Sequence, residues 1–242
     1  MIKCLELFSG TKSVGKVCDQ LGWESVSVDL IMDADHKCDI MDFDYKQYDK
    51  DEFDIIWASP PCTNYSALKK CWYGRKLKNG IVYTKEQNEI DQNEADKLVL
   101  KTLEIINYFN CEYWFMENPQ TGNLKNREIM KGIPFYDVDY CMYSDWGYKK
   151  RTRIWTNKKD WENKLCDNSG SCGNMIQIDK RHLHQTNCGN TEKIQAVRKH
   201  LKSIGIGADA IAKGQKSVAG GGTNRLERYR IPEDLIFSLF LD

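Results

Sequence analysis

Over the first 157 residues, short apolar runs alternate with amphipathic stretches. "KCLELF" at 3–8 reads as a buried strand, followed by the turn "SGTKSVG" and a helix through "KVCDQLG". "ESVSVDL" at 24–30 is a second strand ending in an acid, and "KCDIMDF" places Asp39 at the end of a third. "FDIIWAS" at 53–59 is a later strand. Residues 93–109 form a long helix with Leu98, Leu103, Ile106 and Phe109 as its apolar positions. Strands follow at 113–118, 136–143 and 152–157. Strands separated by helical stretches imply βαβ units, so the expected fold class is α/β with a doubly wound, mostly parallel sheet.

Beyond Asn157 the pattern changes. Residues 158–223 are polar, with one predicted helix at 191–205 and a glycine-rich joint at 217–224. The tail resumes a helical pattern, with Pro232 near a helix start. Three regions result: a main domain over 1–157, a small lobe over 158–223, and a terminal helix over 224–242 that returns to the main domain.

Composition narrows the function. The chain is 41% hydrophobic and 29% charged, with zero formal net charge, as in an ordinary soluble globular protein. A nucleic-acid surface would therefore have to come from local clustering. The start is too short in apolar residues for a signal peptide, and no run approaches the roughly 18 residues of a membrane span, so the expected location is intracellular. No GxxxxGK[ST] sequence occurs, which argues against an NTPase. Without a secretion signal the ten cysteines are read as reduced. Cys4, Cys18, Cys38, Cys111 and Cys141 sit among apolar neighbours and are expected in the core. Cys62, and the group Cys166, Cys172 and Cys188, stand apart.

Candidate chemistry gathers at strand ends. "ELFSGTKSVG" is a strand, a tight turn at Gly10 and a helix with Gly15; with Asp29 and Asp39 it suits an adenosine-like cofactor better than a polyphosphate. "ASPPCTNYS" leaves its strand through two prolines and presents Cys62. "FMENPQTG" puts Glu117 and Asn118 at another strand end, and "KKRTRIW" offers Arg151 and Arg153 on one face of a strand. One thiol, one carboxyl and two guanidiniums make an anion-binding nucleophilic site.

These motifs, in this order, resemble the DNA (cytosine-5) methyltransferase family. Pro61, Cys62, Tyr65 and Ser66 match its nucleophile motif, Glu117–Asn118–Pro119 stands in the place of Glu-Asn-Val, and Arg151 and Arg153 match Arg-x-Arg. The late Gly-Asn-Ser motif has no recognisable counterpart. The resemblance implies S-adenosylmethionine as methyl donor, held by Phe8, Ser9, Gly10, Thr11, Val14, Asp29, Leu30, Asp39, Ile40 and Pro61. It implies double-stranded DNA as partner, with the target cytosine swung out of the duplex, Cys62 as nucleophile and Glu117 at ring nitrogen 3. Arg151 and Arg153 assist, and the protein is expected to act as a monomer, with no membrane partner. An RNA substrate is the first alternative; a catalytically silent DNA-binding relative is the second.

Residues 63–85 mix lysines and arginines with aromatics and read as a loop closing over the base, with Asn118, Ser66, Lys69, Lys70 and Arg75 on the substrate. In the small lobe, Cys166, Cys172, His182 and Cys188 are candidate ligands of a structural zinc, with His184 nearby. Free thiols and phosphate-contacting histidines are the alternative. This lobe, with Lys180 and Arg181, is expected to choose the target sequence.

Overall fold

The computed structural model of the protein describes residues 1–178, 180–184, 199–200, 202–204 and 229–242. Six strands form the main sheet: β1 (Lys3–Leu7), β2 (Glu24–Val28), β3 (Ile55–Ala58), β4 (Tyr113–Pro119), β5 (Phe135–Asp139) and β6 (Arg151–Thr156). Their order is β2-β1-β3-β4-β6-β5. β1 pairs in parallel with both β2 and β3, and β3 with β4, whereas β6 runs antiparallel to β4.

The helices α1 (Ser13–Leu21) and α2 (Lys85–Tyr108) cross over from β1 to β2 and from β3 to β4. These connections run in opposite directions across the sheet. A right-handed hand for both puts the helices on opposite faces. The packing agrees. Leu5 and Leu7 join the cluster containing Ala95, Val99, Ile105 and Ile106 of α2. The alternating Glu6 turns to α1, accepting hydrogen bonds from the backbone N–H of Val14 and Gly15. The direction of winding reverses between β1 and β3, and in open α/β sheets ligands bind outside the carboxyl ends of the strands at such a reversal.

Three local expectations change. The long helix starts at Lys85 rather than 93, because Thr84 caps it by accepting from Gln87 N–H, and the polar Asn88 and Gln92 are buried along its first turns. The strand expected at 136–143 ends at Asp139 and gives way to a 3-10 turn, Tyr140–Met142. Asp39 ends no strand. It sits in a turn where its carboxylate accepts from Met41 N–H.

The described chain divides into two compact units, Met1–Tyr136 with Thr152–Asp160, and Asp137–Arg151 with Trp161–Asp242. The second contains the hairpin β7 (Met175–Ile178) and β8 (Arg181–His184) and the terminal helix α3 (Glu233–Leu241), where Trp161 Nε1 donates to Ser238 Oγ at 3.0 Å. Most of the helix expected at 191–205, and the joint at 217–224, lie outside the described residues.

Candidate active site

The turn after β1 is tightly wound. Phe8, Gly10 and Lys12 all have positive φ, at 58°, 51° and 53°. An aromatic residue in the left-handed region is costly, and such strain collects at functional sites. The surroundings over-determine the turn. Ser9 N–H donates to Val28 C=O, Gly10 N–H to Asp29 Oδ2 at 2.9 Å, and Asp29 Oδ1 accepts from the N–H of Ile31 and Met32. Asp29 thus ties the ends of β1 and β2 together. Thr11 Oγ1 lies 3.1 Å from Ser13 Oγ, Val14 is buried, Leu30 is 59% exposed, and Ile40 packs into the core. Ser9 Oγ is buried without a hydrogen-bond partner among the described residues.

Sequence reading passes over Glu6, the buried acid behind this turn. Burial pushes its carboxyl up to about 7, against the pull of the Gly15 and Val14 N–H groups and of Lys12 and Lys16. A carboxylate in the middle of "CLELF" is the signal that could have found it. Gly15 is needed beside it, because a Cβ there would lie 3.4 Å from both Glu6 Oε2 and Ser25 Oγ.

Cys62 and Glu117 arrive from neighbouring parallel strands. Ala58 at the end of β3 pairs with Met116 of β4, one residue before Glu117. The two loops are stitched together twice. Asn118 Nδ2 donates to Pro60 C=O at 2.8 Å, and Asn123 N–H to Tyr65 C=O at 2.7 Å. Gly122 allows the second stitch, since a Cβ there would meet Pro119 O at 3.1 Å. Cys62 is half-buried, Glu117 and Asn118 are buried, and Pro61 is exposed. Asn118 Oδ1 has no hydrogen-bond partner among the described residues. Tyr65 anchors the Cys62 loop: its hydroxyl donates to Asp96 Oδ1, and Arg127 clamps Asp96 through Nε and Nη2. Arg153 stands opposite Asn118 in the β4–β6 register, with its guanidinium 3.5 Å from the Phe135 ring centroid.

With this geometry, comparison with known proteins becomes decisive. No protein-family model matches the chain. A probable DNA (cytosine-5)-methyltransferase of Frog virus 3 (isolate Goorha) is 38% identical over 240 residues, covering 98% of each chain. The chain belongs to the DNA (cytosine-5) methyltransferase family. Two solved structures are more distantly similar. The S. pombe Dnmt2 methyltransferase is 12% identical with a TM-score of 0.41, over 68% of this chain and 51% of that one. The Entamoeba histolytica methyltransferase EhMeth is 13% identical with a TM-score of 0.45, over 69% and 56%. The chain thus spans about half the length of those two.

Elsewhere the methyltransferase arranges the expected residues differently. Arg151 belongs to the second unit and makes a two-pronged contact with Asp139, Nε to Oδ1 at 2.9 Å and Nη2 to Oδ2 at 2.7 Å. Burial opposes the charge of Asp139, but Arg151, the Cys166 N–H and Lys149 together hold its carboxyl below the usual range. Lys69 is buried: its ammonium bonds Asp91 Oδ2 and Asn64 Oδ1 and lies over the Tyr83 ring. Lys70 and Arg75 are exposed, and Ser66 Oγ accepts from Leu68 N–H. The loop 63–85 is thereby fastened to the start of α2.

The expected metal ligands are also regrouped. Cys166 and Cys172 gather with Cys141 and His184, not with His182. His182 is exposed and its ring lies against Gly170. Cys188 lies outside the described residues. Cys141, expected as a plain core residue, is therefore part of a four-residue cluster. No described helix is long and apolar enough to cross a membrane.

Proposed function

We propose that this methyltransferase methylates carbon 5 of cytosine in double-stranded DNA through a covalent bond from Cys62. The reaction class rests on the full-length relative at 38% identity. The observation supporting the residue roles is the 2.8 Å bond from Asn118 to Pro60, which ties the Glu117 strand end to the Cys62 loop.

The turn at Phe8–Thr11 fits an adenosine-bearing donor. Ser9 Oγ is a buried polar atom lacking a partner, Asp29 retains acceptor capacity beyond its three N–H donors, and exposed Leu30 provides an apolar contact. S-adenosylmethionine bound there supplies an electrophilic methyl group. Phe8, Gly10 and Pro61 are assigned to the same donor site, with the buried Val14 and Ile40 supporting it from the core.

Carbon 5 of cytosine is a weak nucleophile. The Cys62 sulfur adds to carbon 6, the electron pair of the 5,6 double bond shifts between carbons 5 and 4, and the carbon 4–nitrogen 3 pair moves onto nitrogen 3. Glu117 hydrogen-bonds or protonates ring nitrogen 3, offsetting the charge that develops there. Carbon 5 then carries enamine-like density. Once carbon 5 is methylated, loss of its proton to a base and departure of sulfur from carbon 6 restore the aromatic ring and the free thiolate. Arg153, stacked on Phe135, supports the base-binding strand, and Arg151 orders the Asp139 segment. The base must leave the duplex, at a cost of a few kcal/mol. Lys70, Arg75 and neighbouring exposed cations meet the phosphates, and the second unit reads the target sequence.

The test is incubation with S-adenosylmethionine and a duplex containing 5-fluorocytosine, whose fluorine cannot leave as a proton does. A protein–DNA adduct resistant to denaturation is expected for the wild type and absent for Cys62→Ala. Equal trapping by Cys62→Ala would overturn the role of Cys62. A labelled-methyl competition between duplex DNA and tRNA decides the substrate: preference for tRNA would replace DNA with RNA.

A further inference from the structure

Three thiols and an imidazole meet in the second unit. The ligand atoms of Cys141, Cys166, Cys172 and His184 all lie within 4.8 Å of one another. His184 Nε2 is 3.7 Å from Cys166 Sγ and 3.6 Å from Cys172 Sγ. Zinc bonds of about 2.3 Å to sulfur and about 2.0–2.1 Å to nitrogen set S···N edges of a regular tetrahedron at about 3.6 Å. The two observed S···N edges match, and every other separation in the cluster is within 4.8 Å.

We propose that Cys141, Cys166, Cys172 and His184 hold a structural zinc ion. Four protein ligands leave no open position, as in structural rather than catalytic zinc sites. Three thiolates with one imidazole in tetrahedral array select zinc over the hard, oxygen-seeking divalent ions.

The backbone around the ligands is fastened as a metal site requires. Asn174 is buried, and its Nδ2 donates to the carbonyls of Cys141 at 2.8 Å, Ser144 at 2.7 Å and Cys172 at 3.0 Å. Its Oδ1 accepts from Gly147 N–H. One side chain therefore bridges two ligand-bearing segments. The third is held by Asp139, which accepts from Cys166 N–H at 2.8 Å, and by Lys149, which donates to Cys166 C=O at 2.8 Å. His184 closes the set from β8, opposite Met175 in the hairpin register. A two-stranded hairpin is marginal alone, and a metal at its end supplies what a small core cannot.

The experiment uses the full chain. Elemental analysis of the purified protein is expected to find about one zinc per chain, and replacement by cobalt to give the intense visible bands of a tetrahedral thiolate site. Cys141→Ser and His184→Ala lower bound metal roughly tenfold or more, while His182→Ala and Cys71→Ser leave it unchanged. A wild type with neither zinc nor cobalt bands overturns the site. So does a metal content that falls in His182→Ala and persists in His184→Ala. Should the ligand variants fail to fold, alkylation of the wild type decides. Cys141, Cys166 and Cys172 are expected to be protected until a chelator is added; labelling that ignores the chelator, or a disulfide among them, removes the metal.

Discussion

Glu6 occupies a core position in β1, behind the Phe8–Thr11 turn. Its folded-state carboxyl titrates at about 7 against an ordinary 4.5, so the native protein binds this proton more tightly than the unfolded chain. The contribution of the neutral acid is fully present below pH 4.5 and is lost as pH rises toward 7 and beyond. Relative to Glu6→Gln, the wild type should lose roughly 2–3 kcal/mol of stability between pH 5 and pH 8, as read by urea denaturation. A pH-independent difference would mean that Glu6 stays charged throughout. Arg151 is a second residue with a definite expectation. Asp139 is fully buried and leans on it, so Arg151→Ala should cost roughly 3 kcal/mol by leaving that carboxylate under-compensated. Thermal unfolding would show it, and an unchanged midpoint would free Arg151 for a direct role on the nucleotide.

At the scale of elements, the site is two loops made to share one backbone frame. Tyr65, Asp96 and Arg127 fix the 3-10 turn after Cys62 to α2, and Asn118 fixes the end of β4 to the prolines before Cys62. Burial and Asp96 push the Tyr65 phenol far up, so it remains a neutral donor at any working pH. Tyr65→Phe removes one hydrogen bond and should cost about 1 kcal/mol, with the fold retained. Asn118→Ala should lower kcat/KM at least about tenfold, through misplacement of Glu117 and Cys62, with little change in circular dichroism. Wild-type turnover by Asn118→Ala would show that the stitch is structural decoration.

For the whole molecule, zero net charge means that the proposed binding of DNA must rest on local cations. Lys70, Arg75, Lys76 and Lys78 are exposed in the 63–85 loop, whereas Lys69 is spent on Asp91. Replacing Lys70 and Arg75 together by alanine should flatten the plot of log binding constant against log salt by about two, one per lost phosphate contact. An unchanged slope would place the phosphate contacts elsewhere.

Along the chain itself the apolar rhythm determined the strands of the sheet and its parallel character, because burial on both faces leaves a continuous apolar run in sequence. Motif order likewise put Cys62, Glu117 and the Phe8–Gly10 turn at or just beyond strand ends, which is where the structure has them. Only the tertiary structure decided which charges are engaged. Lys69 reads as a phosphate ligand until folding places Asp91 and Tyr83 beside it. Cys141 reads as core until Cys166, Cys172 and His184 surround it. His182 and His184 look equivalent in the string, yet the fold gathers His184 with the three thiols and leaves His182 exposed beside Gly170. Pairings of this kind depend on distances closed by the fold between residues far apart in the chain, and no local pattern encodes them.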